Sequence, residues 1–566
     1  MKNNIGTFIM LVAIVCFCNG TNAQSKDENK YNESVIVKSS FDPVVNEAYK
    51  LSDKPEIFDS KFELPPFTYD KDTRQFPTTM TFEKIKPAKV MGEPIPILYN
   101  THVKAGVGTY FTSLLDVTYS QTRSKDFVYS ANYHHKSSLG QIKDYANSSY
   151  ANNDLNLYAK KIWDGFFVDA AFQYNHQRQY YYGFSDTIDI DKKDYRASYH
   201  NVGTIINYNS LYKDADALHN SASFALNYTS SKWGRSEMDL SLGADVHKNF
   251  DFMNSEEQLL GLNMQYEHFF GKYKAGDLGV FYNDTLRLNS FDNNVGSVTV
   301  KPYVDLNIQA LRLYADIEFV PLFGDEKQFK ILPNVVLDMP VIAQMLKVSA
   351  GIKSRNHTLT LNELRKDNPF ISPLVRIENE SSIALFAKAN VISVDNMLLS
   401  LEAGYEDISN KGFYQLDNKA ALNNMFILMY DKAKRLYLDF NVGYHINDRF
   451  EFRTELLYQN VKTETLEHAW YVPAFKADML LQYTAANKFT IAFRPYFQTK
   501  TKCLDENGVV QDLKAKVDIN LSASYKYSDQ LIFFVDLNNL AFQRYYDYYN
   551  YPSQKFVGMI GASIAF

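Results

Sequence analysis

Cysteine is scarce in this sequence of 566 residues, and so are long apolar runs. Its three cysteines are Cys16, Cys18 and Cys503, and the first two lie in an apolar stretch near the N-terminus. Beyond that stretch no run approaches the roughly 20 apolar residues that a membrane-spanning helix needs. The sequence therefore excludes a bundle of spanning helices, and Cys503 has no partner left for an internal disulfide.

The N-terminal stretch has the composition of a secretory signal peptide, which we assign to residues 1–23. Its apolar run extends from about Ile5 to Cys18, too short to cross a bilayer. Thr21 and Ala23 occupy positions −3 and −1 of a cleavage site after Ala23. We therefore expect an exported protein of 566 − 23 = 543 residues.

Catalytic and cofactor motifs are also missing. The sequence has no HExxH zinc motif, no GxxxxGK[ST] phosphate loop and no basic arm for nucleic acid. His134 and His135 are adjacent, so in a strand they point to opposite faces and do not share one metal ion. Polar residues recur throughout the chain without a spacing that selects a catalytic triad. We predict a protein that is not an enzyme, has no cofactor or metal site and binds no nucleic acid.

Aromatic residues, in contrast, are abundant. They make up 15% of the chain, with 41 tyrosines and 40 phenylalanines, yet the mean hydropathy is −0.32. A transmembrane β-barrel combines a lipid-facing surface, a polar interior and two girdles of interfacial aromatic residues. This composition favours such a barrel over a soluble enzyme.

Strict alternation of apolar and polar residues supports the same conclusion. In residues 221–229, Ala222, Phe224, Leu226 and Tyr228 alternate with polar side chains, and segments of 10–14 residues with this texture recur along the chain. A soluble β-sandwich also alternates. These segments, however, reach the 9–11 residues that a tilted strand needs to cross a bilayer, and their apolar faces end in aromatic residues.

The chain divides near residue 97. Residues 24–96 contain eight of the 17 prolines, and we interpret them as an irregular periplasmic or lumenal arm. Residues 97–566 contain 22 to 24 candidate strands. The predicted fold class is all-β, a transmembrane antiparallel barrel of 22 strands after a short irregular arm, because bacterial barrels have even strand numbers.

The C-terminus carries the most specific pattern. Residues 517–566 contain Asn538-Asn539-Leu540 after one strand, Tyr549-Asn550-Tyr551-Pro552 in the last loop, and a final apolar strand ending at Phe566. This segment resembles the end of TonB-dependent receptor barrels. The resemblance implies that the last strand is a signal for the barrel-assembly machinery, and its outer face would be formed by Ile560, Ala562, Ile564 and Phe566.

A second stretch resembles a TonB box, the extended segment through which such receptors are pulled. It comprises Glu33, Ser34, Val35, Ile36 and Val37, whose β-branched residues suit strand addition to a partner's sheet. The family also folds a plug of about 130 residues inside the barrel, whereas only residues 24–96 are available here. An unfilled barrel of this size would leave a channel, so the arm, inward-folding loops or a second protein must fill it.

Two dense tyrosine runs are candidate ligand-facing aromatics. They include Tyr180, Tyr181, Tyr182, Tyr546 and Tyr548. They suit a stacking platform at the mouth, but an interfacial girdle with loop packing also explains them and is the interpretation we favour.

Three functions stay open at this stage. The first is a passive outer-membrane pore, or the membrane component of a complex that a partner seals. The second is a TonB-dependent receptor with a reduced plug, and the third is a structural or assembly scaffold. In each case we expect the outer membrane of a Gram-negative bacterium. The expected partners are outer-membrane lipid and the barrel-assembly machinery, with TonB or a periplasmic or surface lipoprotein as further candidates.

Overall fold

The computed structural model describes residues 98–566, except 122, 141, 213–216, 253–254, 275–281, 283–289, 343–344 and 393–395. The predicted signal peptide, the arm and the TonB-box stretch Glu33–Val37 therefore lie outside the described residues. Within those residues no helix has the length and apolar character needed to cross a membrane.

One antiparallel sheet of 22 strands forms the body of the described chain. Consecutive strands pair along the sequence, and the first strand also pairs with the last, so the sheet closes into a barrel. The prediction of an all-β barrel with 22 strands is confirmed.

The strands of the barrel are as follows: β1 (Thr101–Gly108), β2 (Thr112–Gln121), β3 (Phe127–Ser138), β4 (Tyr150–Trp163), β5 (Phe166–Tyr180), β6 (Arg196–Ser210), β7 (His219–Ser231), β8 (Arg235–Phe252), β9 (Ser255–Tyr273), β10 (Phe291–Ile308), β11 (Leu311–Gly324), β12 (Phe329–Ile342), β13 (Leu346–Thr358), β14 (Asn379–Ile392), β15 (Met397–Leu416), β16 (Phe426–Ile446), β17 (Phe450–Thr463), β18 (Phe475–Ala485), β19 (Phe489–Gln498), β22 (Lys516–Lys526), β23 (Leu531–Asn538) and β26 (Val557–Ala565). Two small hairpins lie in loops, β20 (Thr501–Leu504) with β21 (Val510–Leu513) and β24 (Tyr546–Tyr548) with β25 (Tyr551–Pro552). A single α-helix, α1 (Leu361–Asp367), and 3₁₀ turns at Thr109–Phe111 and Asn447–Arg449 complete the described elements.

Side-chain exposure follows the predicted alternation. In β26, Ile560 and Ile564 are 61% and 45% exposed on the outside, whereas Met559 and Ser563 on the opposite face are buried. A closed barrel that presents large apolar side chains outward needs lipid around it. The outward apolar face read from the sequence is therefore the lipid-facing surface of an outer-membrane protein.

The last residue completes the seam of the barrel. The backbone N–H of Phe566 donates to the carbonyl of Thr101 at 2.9 Å, and the N–H of Thr101 donates back to the carbonyl of Phe566 at 2.9 Å. Since β26 pairs with both β1 and β23, neither of its edges is left open.

The two ends of the barrel differ in the length of their connections. Tight turns such as 164–165, 309–310 and 486–488 lie at one end, and connections such as 359–378 and 539–556 lie at the other. Short turns are periplasmic and long loops extracellular in bacterial barrels. We accordingly name these the turn end and the loop end, and Phe566 lies at the turn end.

A bulge explains why the alternation drifts between residues 405 and 433. The pairing of β15 with β16 shifts register between Ile408 and Lys411, and Asn410 adopts a left-handed φ of 54°. A bulge inserts an unpaired residue and so reverses which side chains face outward.

Candidate functional site at the loop end

Three loops from well-separated parts of the ring meet above the barrel. Cap loop 1 (residues 181–195) follows the fifth strand of the ring, cap loop 2 (359–378) the thirteenth, and cap loop 3 (539–556) the twenty-first. Their separations are 13 − 5 = 8, 21 − 13 = 8 and 5 + 22 − 21 = 6 strands. Loops placed at such intervals around a ring of 22 strands touch only by reaching over its mouth.

One aromatic side chain from each loop makes the contact. The ring of Phe370 in cap loop 2 stacks on Tyr551 in cap loop 3, with centroids 3.5 Å apart and an interplanar angle of 13°. Tyr182 in cap loop 1 meets both rings edge-on, with centroids 5.6 Å from Phe370 and 5.0 Å from Tyr551. We call these three residues the aromatic junction.

The aromatic junction lies within a larger buried apolar cluster at the loop end. Members come from the three cap loops, from strand ends around the ring and from residues 417–425. Together with the junction we call this cluster the cap. Its buried members include Tyr181, Phe184, Tyr199, Trp233, Phe269, Leu361, Leu364, Ile371, Tyr414, Met425, Phe426, Tyr548 and Tyr551.

Helix α1 forms the start of cap loop 2 for a local reason. Thr360 and Glu363 make a capping box, in which each side chain accepts a hydrogen bond from the other residue's backbone N–H. Burial opposes ionisation of Glu363, but hydrogen bonds from His357 and from Thr360 outweigh it and lower the pKa of Glu363. The helix therefore begins with a satisfied and charged cap.

Buried charges fasten this helix to the barrel wall. Glu237 on β8 accepts from the backbone N–H of Leu361 at 3.0 Å and from Nη2 of Arg235 at 2.7 Å. Arg365 on the helix lies 3.2 Å over the ring of Tyr199 and donates to Gln177. Both arginines and Glu237 are almost fully buried, so this one carboxylate compensates two cations inside the protein.

Two tyrosine hydroxyl groups and one asparagine side chain provide hydrogen-bond partners for the backbone of cap loop 2. Tyr181 donates to the carbonyl of Ile371 at 2.7 Å, and Tyr548 donates to that of Asp367 at 3.1 Å. Asn293 on β10 bonds both backbone groups of Ile377, accepting at 2.7 Å and donating at 3.1 Å. A buried loop needs such partners for its N–H and C=O groups, so cap loop 2 is specified by side chains from distant strands.

The loop end contains two cavities, of which the lower one borders the aromatic junction. The lower cavity of about 280 Å³ lies between the junction and the lumenal wall of β4 and β5, and its lining includes Asn152, Gln179 and Phe370. The upper cavity of about 590 Å³ lies among the tips of the cap loops, and its lining includes Glu506 and Arg544.

The structure brings most of the predicted tyrosines together in the cap. Tyr181 and Tyr548 are buried in it, Tyr180 and Tyr182 line the lower cavity, and Tyr546 lines the upper one. Contact of these residues with a ligand stays a prediction. The predicted assembly signal lies elsewhere, on β26 and at the turn end, where Ile560, Ile564 and Phe566 are exposed and Ala562 is half-buried.

Phe370, Arg365 and Gln179 were missed by sequence reasoning. The Thr360-x-x-Glu363 spacing is the one local signal that could have located cap loop 2, because it announces a helix start inside a chain of strands. Nothing local marks Phe370, whose partners lie 188 and 181 residues away along the chain.

No protein-family model matches the sequence, and no curated protein matches it. Solved structures do match. The ferripyoverdine receptor of the outer membrane of Pseudomonas aeruginosa has a TM-score of 0.61 and 12% identity, covering 84% of this chain and 72% of that chain. The ferric-catecholate import receptor Fiu of Escherichia coli K12 has a TM-score of 0.61 and 9% identity, covering 83% and 82%.

The siderophore receptor PirA of Acinetobacter baumannii is similar to the same extent, with a TM-score of 0.61 and 10% identity over 83% of this chain and 81% of that chain. At identities this low, the TM-scores establish a shared fold and nothing further. The closed ring of 22 strands, its apolar outer surface and these likenesses lead to one conclusion: the chain is an outer-membrane β-barrel protein with the fold of the TonB-dependent receptors.

Proposed function

We propose that the protein is a gated outer-membrane receptor and transporter of the TonB-dependent type, in which the cap closes the mouth until a ligand or the energising partner opens it. The aromatic junction is the observation that carries this proposal. A permanently open pore needs an unobstructed mouth, whereas Tyr182, Phe370 and Tyr551 meet across this one. The similar structures are named as siderophore receptors, which supports the receptor class.

Opening the cap carries a substantial energetic cost. Each aromatic side chain buries about 150–250 Å², and apolar burial stabilises by about 25 cal/mol per Å². Tyr551 is buried and Tyr182 and Phe370 are half-buried, so separating the three junction rings exposes part of this area and costs on the order of 5 kcal/mol before the rest of the cap moves. Spontaneous opening is then rare, so transport requires ligand binding energy or mechanical work.

The cap also bears on the alternative of a partner-sealed complex. A second protein is needed to seal a barrel only where the chain leaves the mouth open. Here cap loops 1, 2 and 3 supply the seal from within the same chain. A seal formed by the chain itself favours the receptor over both the passive pore and the partner-sealed component. It does not favour the structural or assembly scaffold.

Single-channel conductance of the purified protein in a planar bilayer tests the gate. We expect the wild type to be silent and the double variant Phe370→Ala with Tyr551→Ala to conduct, because the variant removes the two stacked rings. The matched control is Phe542→Ala with Phe556→Ala, a stacked pair 5.3 Å apart outside the junction and the described cap cluster. A large steady conductance from the wild type contradicts the proposal.

Coupling to TonB is tested separately, because the stretch Glu33–Val37 lies outside the described residues. We expect deletion of residues 33–37 to abolish energy-dependent uptake in cells while leaving barrel assembly intact. The control is a deletion of equal length at residues 70–74. Uptake that survives loss of residues 33–37 refutes the assigned contact.

A further inference from the structure

The lower cavity is a half-open space lined by parts of the chain that are distant in sequence. Its wall is formed by the lumen-facing residues Asn152 on β4 and Gln177 and Gln179 on β5. Its roof is formed by Tyr182 and Phe370, two members of the aromatic junction. A molecule in this cavity therefore touches both the barrel wall and the gate.

The lining of the lower cavity contains no charged side chain. Its other lining residues are Ile142, Ser148, Ser149, Tyr150, Tyr180, Pro369 and Gln554. The upper cavity differs, because Asp144, Glu506 and Arg544 line it. A charged ligand entering the lower cavity would lose hydration without gaining an opposite charge among these residues, so the lining selects a neutral ligand.

Hydrogen bonds fix which side-chain atoms of the two glutamines on β5 donate and which accept. A guanidinium only donates, so the bond from Arg365 makes the side-chain oxygen of Gln177 the acceptor. Its amide nitrogen then donates to Gln179 at 3.4 Å, and Gln179 donates to the carbonyl of Pro369. Each of these bonds uses one of the two N–H groups that a glutamine amide carries. The wall therefore offers oriented donors.

Asn152 supplies an acceptor. Within the described part of the chain its Oδ1 atom is buried and has no hydrogen-bond partner. Buried polar atoms of this kind are uncommon in folded proteins, because they lose hydration and gain nothing in return. As placed, this oxygen packs against protein atoms; rotation of the Asn152 amide would bring it to the cavity, where a hydroxyl group of a bound molecule would provide the missing donor.

The aromatic rings and the volume of the lower cavity narrow the choice of ligand further. Tyr180, Tyr182 and Phe370 offer ring surfaces to the cavity. Its volume of about 280 Å³ corresponds to roughly nine liquid waters at about 30 Å³ each, which is the size of one six-membered sugar ring. Amides that bond hydroxyl groups and rings that pack on C–H faces are complementary to a neutral polyhydroxylated compound.

We propose that the lower cavity binds one unit of a neutral polyhydroxylated ligand, such as a hexose within an oligosaccharide, and that its occupation acts on the gate through Tyr182 and Phe370. This inference rests on the proposed receptor function and names its substrate class. It separates this chain from the siderophore receptors whose fold it shares.

Isothermal titration of the purified full-length protein tests the ligand class. The probes are neutral oligosaccharides of glucose, mannose, galactose and N-acetylglucosamine, each at up to about 10 mM, with oligomers of galacturonic acid as the anionic counterpart. We expect at least one neutral series to bind and the galacturonic acid oligomers not to bind. Binding of the anionic oligomers alone, or of no neutral series, overturns the inference.

Variants place the binding in the cavity. Asn152→Leu removes the unpartnered acceptor without breaking a described bond, and we expect the binding to weaken about tenfold, as for the loss of one to two hydrogen bonds. Glu506→Gln in the upper cavity is the matched control, with unchanged affinity expected. Ser149→Ala is a second test should Asn152→Leu fail to assemble. Unchanged affinity in the folded cavity variants overturns the site.

The two proposals fail in different ways. A wild-type barrel that conducts steadily contradicts the gate whether or not sugars bind. A silent wild type, a conducting junction variant and no neutral ligand leave the gated receptor in place and overturn only the substrate class.

Discussion

The two ends of the barrel close their connections by different means. At the turn end the bonds are local: Lys488 donates to the carbonyl of Ala485, three residues back, and Met345 donates to Ile342 in the same way. At the loop end the partners are remote in sequence, as in the bond from Tyr182 to Pro552, 370 residues away. Strand pairing alone thus suffices for the turn end, whereas the cap forms only once the ring has brought its three loops together.

This difference separates assembly from gating. Local turns set the register of neighbouring strands and are complete as soon as each hairpin forms. The cap adds little to strand pairing, because its contacts join loops to one another and to side chains of the strands, and none of them replaces a backbone pair of neighbouring strands. Substitutions in the cap should therefore alter conductance while leaving the barrel assembled, and equivalent substitutions at the turn end should leave the gate shut.

The largest effect is expected from Glu237→Gln, which removes the charge of a buried carboxylate. The chain contains the same ion pair in a second, more exposed environment, and that pair provides the comparison. Arg235 and Glu237 are two residues apart and buried at the loop end, whereas Glu451 and Arg453 have the same spacing near the turn end, where Arg453 is exposed. Removing the charge of Glu237 leaves Arg235 and Arg365 buried without a carboxylate. We expect the cap to lose about 3–5 kcal/mol, against about 0–1 kcal/mol for Glu451→Gln.

Single-channel recording measures both variants, and hydrogen exchange of residues 359–378 reports the cap directly. Frequent openings and fast exchange are expected for Glu237→Gln alone. Equal behaviour of the two variants would refute the claim that the buried pair holds the cap.

An intermediate effect is expected from Tyr181→Phe. The variant keeps the ring and removes the hydroxyl that donates to the buried carbonyl of Ile371. An unpaired buried acceptor costs about 1–3 kcal/mol, so exchange in cap loop 2 should accelerate about tenfold or more. Tyr527→Phe, at an exposed tyrosine of the turn end, is the control and should change nothing. A wild-type exchange rate in Tyr181→Phe would show that this hydroxyl does not hold the loop.

The same contrast explains how far the sequence could be read. Alternation in segments such as 221–229 and the apolar face of Ile560, Ile564 and Phe566 predicted the barrel, because exposure in a strand depends on parity alone. Even the drift near Asn410 has a local cause, the bulge in β15.

The cap could not be predicted from sequence patterns of this kind. Tyrosine runs at 180–182 and 545–551 indicated aromatic density at the mouth, but not whether the rings faced a ligand, lipid or each other. That choice depends on which loops the ring of 22 strands places opposite one another, and strand number and stagger decide it. Phe370 has no aromatic neighbour in sequence, so its place at the centre of the junction followed only from the fold.

The smallest effect is expected from acid, and its sign follows from Glu363. The pKa of this residue is lowered in the folded cap because the hydrogen bonds from His357 and Thr360 outweigh the opposing effect of burial. A lowered pKa means that the ionised side chain stabilises the cap above the unfolded pKa of about 4.3. That contribution is lost only as the pH falls through the folded value. The protection of α1 against exchange, corrected for the intrinsic pH dependence of amide exchange, should therefore fall as the pH drops below about 4.

Glu363→Gln sharpens this expectation, because glutamine keeps the capping geometry and does not titrate. The variant should start from slightly lower protection at neutral pH and show no loss of protection between about pH 5 and pH 4. A loss of protection of the same size in both proteins would assign the acid response to other groups near the helix, such as Asp239 on β8, on which the charge of Glu363 acts. A flat profile in Glu363→Gln alone makes the capping box the acid-sensitive element of a cap that is otherwise held by buried rings and hydroxyls.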